Sequence, residues 1–152
     1  MKIKSPAFED NQIIPTIYTC DGDNINPHLD ISEVPASAQS LVLIVDDPDA
    51  PDGTFTHWML WNISPQVREI PEGGIPEGSI QGLNSAGRVG YIAPCPPSGL
   101  HHYHFKLYAL NRKLNITQNI SRQELEREID GSVVDKAELV GTYNRGINGF
   151  NK

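Results

Sequence analysis

Several residue types are scarce in this 152-residue chain, and each scarcity excludes a class of protein. Twelve Lys and Arg residues stand against 19 Asp and Glu residues, so the net charge is −7 and no basic cluster is available for nucleic acid. No apolar run is long enough to cross a bilayer, and MKIKSPAFED does not lead into a signal peptide. We therefore expect a soluble, cytoplasmic protein with no transmembrane segment and no nucleic acid partner.

Cysteine is also scarce, since the chain contains only Cys20 and Cys95. The two lie far apart, each in a turn-rich segment, TCDGDN and APCPPSG. Because a reducing cytoplasm keeps thiols reduced, we favour two free cysteines over a bridge between them. A bridge is the alternative, and closing so long a loop would stabilise the fold by about 4 kcal/mol in the chain-entropy model.

The length of the chain suits a single domain covering residues 1–152. A domain of this size buries about 68–70% of its unfolded surface, so it can form a core without disulfides or metals. Strand-like patterns fill the first two thirds of the sequence and helical patterns the end, without alternation. This order predicts a mainly β protein, an antiparallel β-sandwich with peripheral C-terminal helices.

Two apolar runs flank a stiff acidic turn. The first run, LVLIV at 41–45, predicts a strand that is buried on both faces. The turn DPDAPDG at 47–53 contains two prolines, which fix backbone angles and remove donors. The second run, FTHWMLWNI at 55–63, predicts a central strand. Strict alternation would place one set of its side chains on a single face, namely Phe55, His57, Met59, Trp61 and Ile63.

Other segments complete the predicted sheet. Residues 12–19 indicate a short edge strand that Pro15 interrupts. Residues 64–99 are rich in Gly and Pro but contain apolar side chains, which favours an ordered loop. LHHYHFKLYALN after this loop predicts a strand in which His101 and Tyr103 point inward and the alternate side chains point to solvent.

Two helices are predicted near the end of the chain. Ser121 and Glu124 fit a capping box, and good helix formers continue to Gly131. A second helical segment is expected at about 133–140.

Polar residues at the ends of these strands are candidates for a binding site. Asp47 and Asp49 form either a functional carboxylate pair or ordinary turn contacts. His57 is predicted in a strand buried on both faces. A single histidine in such a strand is more often a core residue than a ligand-binding one. If its strand lies beside that of His101, two imidazoles converge with the Asp47 carboxylate and the Tyr103 hydroxyl. Two histidines with a carboxylate that raises their pKa can hold a phosphate monoester or diester.

Catalytic and metal sites find less support in the sequence. His101, His102 and His104 alternate between the two faces of a strand, so they cannot all reach one ion. Ser98 is the nearest nucleophile to a histidine, but PPSG is not a nucleophile elbow. We expect no metal, no cofactor and no catalytic residue. A hydrolase that uses His57 or His101 as general base is a weaker alternative.

Two long motifs in this chain resemble those of the phosphatidylethanolamine-binding protein family, in particular its bacterial and archaeal Raf-kinase-inhibitor-like branch. They are DPDAP followed by THWMLWNI, and GYIAPCPPSGLHHYHF. Shorter matches are YTCDGDNINPHL, QGLNSAGRVGY and ELVGTYNR. The resemblance implies a central antiparallel β-architecture with small helices, and a small pocket for phosphate-like or phosphoethanolamine-like anions. Carried over by position, the ligand-binding residues would be Asp47, Pro51, His57, Cys95, Pro96, Pro97, His101 and Tyr103.

The chain departs from the family pattern at two positions: Ala93 stands where Gly is frequent, and His102 where Arg is frequent. The resemblance implies a non-enzymatic protein that binds a small phosphorylated or phospholipid head-group-like ligand and thereby modulates a protein partner. A second hypothesis is inhibition of a kinase or protease through the exposed Gly/Pro segment 65–78. The oligomeric state is left open, a homodimer included.

Overall fold

The computed structural model describes residues 1–145. A 3-10 turn covers Thr16–Tyr18. The strands and the helix are β1 (Lys2–Lys4), β2 (Gln12–Ile13), β3 (Leu29–Ser32), β4 (Ser40–Asp47), β5 (Phe55–Ile63), β6 (Glu69–Ile70), β7 (Ile80–Gln81), β8 (His101–Leu110), α1 (Arg122–Ile129) and β9 (Val133–Tyr143).

The strands form two open sheets. A six-stranded sheet has the order β2-β9-β8-β4-β5-β7, and a three-stranded sheet has the order β1-β3-β6. Neighbouring strands are antiparallel, except that β2 runs parallel to β9. This architecture confirms the predicted mainly β class with antiparallel sheets.

Apolar side chains are buried on both faces of the six-stranded sheet. One face packs against the three-stranded sheet, where Leu43 and Phe105 share a core with Ile31 of β3. The other face packs against α1, through Ile44 and Leu125 among others. Burial on both faces explains the continuous apolar run of β4, because each successive side chain enters one core or the other.

The capping box predicted at Ser121 is present. The Ser121 hydroxyl accepts a hydrogen bond from the Glu124 amide, and the Glu124 carboxylate accepts one from the Ser121 amide. The helix buries Leu125 and Ile129, four residues apart on one face. Within residues 1–145, no helix has the length and apolar character needed to span a bilayer.

The second predicted helix, at about 133–140, is wrong: these residues belong to β9. At Gly131, whose φ is 79°, the chain turns away from the direction of α1. Strand β9 then pairs with β8 from Val133 to Tyr143. This long ladder supplies backbone hydrogen bonds and cross-strand contacts that outweigh the helical propensity of DKAEL.

The predicted alternation in β5 is wrong because the strand contains two irregularities. Thr56 pairs with Asp46 and Trp58 with Val45, so His57 is an extra residue in the ladder, and the alternation shifts there. A second shift lies near Asn62, whose φ is positive. Consequently Trp58, Leu60 and Ile63 lie in the inter-sheet core, whereas Met59 and Trp61 lie on the helix side.

The predicted edge strand at 12–19 is shorter than expected. Only Gln12–Ile13 pair, at the edge of the large sheet, and the chain turns into the 3-10 segment after Pro15. Proline fixes φ and has no amide to donate to a ladder, which accounts for the early end of this strand.

Candidate functional site

A cavity of about 460 Å³ lies where the Asp47 end of β4, the first residues of β5 and the first residues of β8 meet the proline-rich loop. The structure brings all the predicted ligand-binding residues to its lining: Asp47, Pro51, His57, Cys95, Pro96, Pro97, His101 and Tyr103. Its volume falls in the range of small-molecule sites. That these eight residues bind a ligand remains a prediction.

The strands that carry His57 and His101 are not adjacent, because β4 lies between β5 and β8. The two histidines nevertheless converge. Tyr103 lies between them, with ring centroids 5.2 Å from His57 and 6.5 Å from His101. The bulge at His57 and the position of Asp47 at the end of β4 bring these groups to one side of the sheet.

Asp47 and His101 form a buried ion pair. Asp47 Oδ2 lies 2.6 Å from His101 Nδ1, and the two side chains are 5% and 7% exposed. His101 Nε2 also lies 3.2 Å from the Ser98 carbonyl oxygen. Nδ1 of this ring therefore faces a carboxylate oxygen and Nε2 faces a carbonyl oxygen, and both of these oxygens are hydrogen-bond acceptors.

Asp49 does not join Asp47 in a carboxylate pair. The Asp49 amide donates to Asp47 Oδ1 at 2.8 Å, which is the turn contact expected as the alternative. Its carboxylate instead accepts from the His102 amide and from His102 Nδ1, both at 2.8 Å. The hydrogen bond to His102 lowers the pKa of Asp49. Asp47 is therefore shared between the turn and His101, and Asp49 faces the outside.

His57 is a neutral imidazole near pH 7. Its Nδ1 donates to the Ile92 carbonyl oxygen at 2.7 Å, which leaves the lone pair on Nε2. Burial lowers the pKa of His57, although the bond to Ile92 and the charge of Asp47 act in the opposite direction. The nearby carboxylate acts on the His57 pKa in the expected direction, but desolvation outweighs this attraction and the net shift is downward.

Tyr103 carries a buried hydroxyl group that bonds to nothing in residues 1–145 of the structure. The side chain is almost fully buried, at 1% relative exposure, and lines the cavity. Burial raises the pKa of Tyr103, and the charge of Asp47 adds to the effect, so the hydroxyl keeps its proton. A buried donor without a protein partner is rare in native proteins, and a molecule in the cavity can supply the acceptor.

The prediction of two free cysteines is wrong, because Cys20 and Cys95 form a disulfide. Two contacts hold their segments together: the Cys20 amide donates to the Pro94 carbonyl, and the Ala93 amide donates to Asn24 Oδ1. The Cα atoms lie 5.4 Å apart, within the range of disulfides. The bridge closes one wall of the cavity, since both half-cystines line it.

Sequence reasoning missed almost half of the cavity lining. Arg88 is a further charged residue there, and it belongs to the QGLNSAGRVGY segment that had been matched to the family without a role. The further lining residues are Cys20, Asn24, Ala50, Phe55, Arg88, Ile92 and Ala93. Most of them are apolar, and no sequence signal assigned any of them to the binding site.

The other histidines of β8 point away from the cavity. His102 bonds to Asp49, and His104 Nδ1 lies 3.4 Å from Glu138. A separate group on the three-stranded sheet, formed by His28, Asp30 and Glu69, has potential metal-ligand atoms within 4.8 Å of one another. These three side chains are largely solvated and share no residue with the cavity.

Comparison with known proteins supports the resemblance seen in the motifs. A UPF0098 protein of Pyrococcus horikoshii is 53% identical over 150 residues, which cover 93% of this chain and 75% of the relative. A UPF0098 protein of Methanothermobacter thermautotrophicus is 46% identical over 151 residues, which cover 96% of this chain and 100% of the relative.

Solved structures show the same fold. The crystal structure of a phosphatidylethanolamine-binding protein homolog from Chlamydia trachomatis superposes with a TM-score of 0.91 at 42% identity, and the match covers 94% of this chain and 96% of the other. YbcL of E. coli gives a TM-score of 0.87 at 30% identity, covering 94% and 97%. Residues 4–144 match the family model described as phosphatidylethanolamine-binding protein. This chain therefore belongs to the phosphatidylethanolamine-binding protein family.

Proposed function

We propose that this protein is a non-enzymatic binding protein whose cavity holds the phosphate-type group of a small ligand, such as a phosphoethanolamine-like molecule. The observation that carries the proposal is the unpartnered Tyr103 hydroxyl, buried between His57 and His101. An anion in the cavity would give this donor the acceptor that it lacks.

His101 supplies a hydrogen-bond donor in this proposal. Its Nε2 bond to the Ser98 carbonyl is at the long end of the hydrogen-bond range, at 3.2 Å, so an anionic oxygen can replace it with a shorter, charge-assisted bond. Asp47 holds Nδ1 of the same ring and thereby fixes the orientation of Nε2 toward the cavity. The acidic chain can in this way bind an anion locally, without a basic surface.

His57 has the complementary role. Its lone pair on Nε2 accepts a proton or a hydrogen bond from a protonated phosphate oxygen, because Nδ1 is already committed to Ile92. Binding of a dianion would instead favour protonation of the ring, since an adjacent negative charge raises a histidine pKa. Only the second route takes up a proton from solvent, because in the first route the ligand brings the proton with it.

The arrangement gives a hydrolytic mechanism less support than binding. Ser98 turns its carbonyl oxygen toward His101 Nε2, whereas a serine nucleophile would need its hydroxyl at that nitrogen. The segment 65–78, suggested as an inhibitory loop, contributes β6 to the three-stranded sheet and is tied to Asn26, which donates to the carbonyls of Pro71 and Gly74. Kinase or protease partners and a homodimer therefore remain predictions that no contact favours.

An NMR titration with inorganic phosphate and with phosphoethanolamine tests the proposal. We expect the ring signals of His57 and His101 to shift at millimolar ligand, and Tyr103→Phe to weaken binding about tenfold, because it removes one hydrogen bond to a charged acceptor. His104→Gln is the matched control, since His104 faces Glu138 outside the cavity. Unchanged ring signals of both histidines at millimolar ligand would exclude the proposed site.

A further inference from the structure

Arg88 contributes the single guanidinium group among the residues that line the cavity, and the lining contains no lysine. The residue is exposed, so it lies at the open end, whereas His57, His101 and Tyr103 are buried deeper in the cavity. The cavity therefore has two polar regions: an inner one made of rings, and a mouth with a permanent positive charge.

The backbone at Arg88 is fixed by a buried asparagine. Asn84 is 5% exposed, and its Oδ1 accepts from the amides of Ala86 and Arg88 at 3.0 and 3.3 Å. Its Nδ2 donates to the Gly90 carbonyl at 3.0 Å. These hydrogen bonds and the isolated antiparallel β-bridge between Leu83 and Val89 fix the turn that carries Arg88 at the mouth of the cavity.

The guanidinium group of Arg88 has no acidic partner in the part of the chain that the structure describes. Among the described residues, Arg112, Arg122 and Arg145 are paired with Glu128, Asp46 and Asp21, respectively. Also within residues 1–145, Arg68 and Arg127 form no ion pair, but they lie outside the cavity, so Arg88 is the unpaired arginine of the cavity lining. In a chain with a net charge of −7, an arginine without a carboxylate beside it is free to bind an anion from solution.

The cavity is larger than one phosphate group. Its volume of about 460 Å³ corresponds to roughly fifteen water molecules at about 30 Å³ each. A ligand whose phosphate lies against the inner rings therefore has room to extend toward the mouth, where it meets Arg88.

We propose that Arg88 is a specificity-determining residue that selects phosphorylated ligands carrying a second negative charge, such as a carboxylate, beyond the phosphate group. This inference rests on the proposed function, since it assumes that the phosphate occupies the inner region. Arginine suits the role because its planar fork can bind a carboxylate or a second phosphate in a bidentate manner.

Phosphoserine and phosphoethanolamine form the test pair, because they differ only in the carboxylate. Isothermal titration of the full chain should show phosphoserine binding about fivefold tighter, as expected for one exposed ion pair. Arg88→Gln should remove this preference and leave the affinity for phosphoethanolamine unchanged. Arg127→Gln is the control with the same loss of charge, on an exposed residue of α1 outside the cavity, and should keep the preference.

The possible outcomes separate this inference from the proposed function. Equal affinities for the two probes in the wild type, with binding of both, overturn the role of Arg88 and leave the phosphate site intact. A loss of phosphoethanolamine affinity in Arg88→Gln equal to the loss of phosphoserine affinity would also overturn the role, because Arg88 would then contact the phosphate itself. Absence of binding by phosphoserine, phosphoethanolamine and inorganic phosphate would reject both proposals together.

Discussion

Asp46 and Asp47 are neighbours on β4, and both are nearly fully buried, at 1% and 3% exposure. Because side chains of a strand alternate, they enter opposite faces of the same sheet. Asp46 Oδ2 lies 3.0 Å from Lys106 Nζ and 3.0 Å from an Arg122 nitrogen. Asp47 instead pairs with the imidazole of His101, at the wall of a cavity.

The two carboxylates are both buried, and the difference between the two faces lies in their cationic partners: Lys106 and Arg122 are partly exposed, whereas His101 is buried. Arg122 and Lys106 keep their charges throughout the physiological range, and Arg122 also donates to Thr56, so the Asp46 cluster fastens α1 to β4, β5 and β8. The Asp47 pair instead involves an imidazole and lines the cavity together with the buried Tyr103 hydroxyl. The first arrangement suits a structural role, and the second suits exchange of a ligand.

The largest expected effect is a loss of stability on removal of the disulfide that closes one wall of the cavity. Replacing both Cys20 and Cys95 with Ser should lower the free energy of unfolding by about 4 kcal/mol, because the bridge closes a long loop in the unfolded chain. Urea denaturation followed by tryptophan fluorescence measures the loss. Reductant should destabilise the wild type by a similar amount and leave the double variant unaffected; a wild type insensitive to reductant after denaturation would contradict this account.

A smaller loss of stability is expected on the opposite face. Asp46→Asn leaves Lys106 and Arg122 without their shared carboxylate, which should cost about 2 kcal/mol, less than for fully buried pairs because both cations are partly exposed. Urea denaturation gives the stability, and phosphate titration gives the binding. We expect phosphate affinity to be unchanged in this variant.

Asp47→Asn is the matched change one residue away. It removes the carboxylate that holds His101 Nδ1, so the ring loses the contact that orients its Nε2 donor toward the ligand, and phosphate affinity should fall about tenfold. Its effect on unfolding should be smaller than that of Asp46→Asn, because water in the cavity can solvate the altered pair. If Asp46→Asn weakened phosphate binding as much as Asp47→Asn, the division between the two faces would not hold.

The elements that sequence reasoning predicted correctly are those determined by local patterns. The apolar run of β4, the alternation of β8 and the capping box of Ser121 each depend on residues close in sequence, and the structure shows all three. Two family motifs, far apart in the chain, were enough to name eight residues that line one cavity. Those residues were found together because strand ends carry them, and strand ends are where loops and cavities meet.

The features that were missed depend on contacts between distant segments. Val133 to Val140 contain helix formers, and only the ladder with β8 makes them a strand. The bulge at His57 follows from the register with β4, which no local pattern reveals. The disulfide was the less favoured alternative on the grounds of compartment, yet backbone contacts of Cys20 and Ala93 place the two cysteines side by side.

The smallest expected effect is a pH dependence of the free energy of unfolding that arises from His57. Burial lowers the pKa of His57 from its usual 6.5, so the unfolded chain takes up this proton at a higher pH than the folded protein. Well above pH 6.5 the ring is neutral in both states. As the pH falls below 6.5, His57 is protonated in the unfolded chain but not in the folded protein, so the free energy of unfolding decreases. The decrease ends once the pH is below the lower pKa of the folded state.

His57→Asn removes the titrating ring and keeps an amide nitrogen near the position of Nδ1, which can still donate to Ile92. The stability advantage of the wild type over this variant should therefore shrink as the pH falls from 7.5 to 5. Urea denaturation at a series of pH values measures it. Tyr103→Phe is the control in the same cavity, since a phenol with a raised pKa does not titrate in this range and its difference from the wild type should stay constant. A constant advantage over His57→Asn would show that the folded protein protonates His57 as easily as the unfolded chain does, and the neutral acceptor assigned to the cavity would then be wrong.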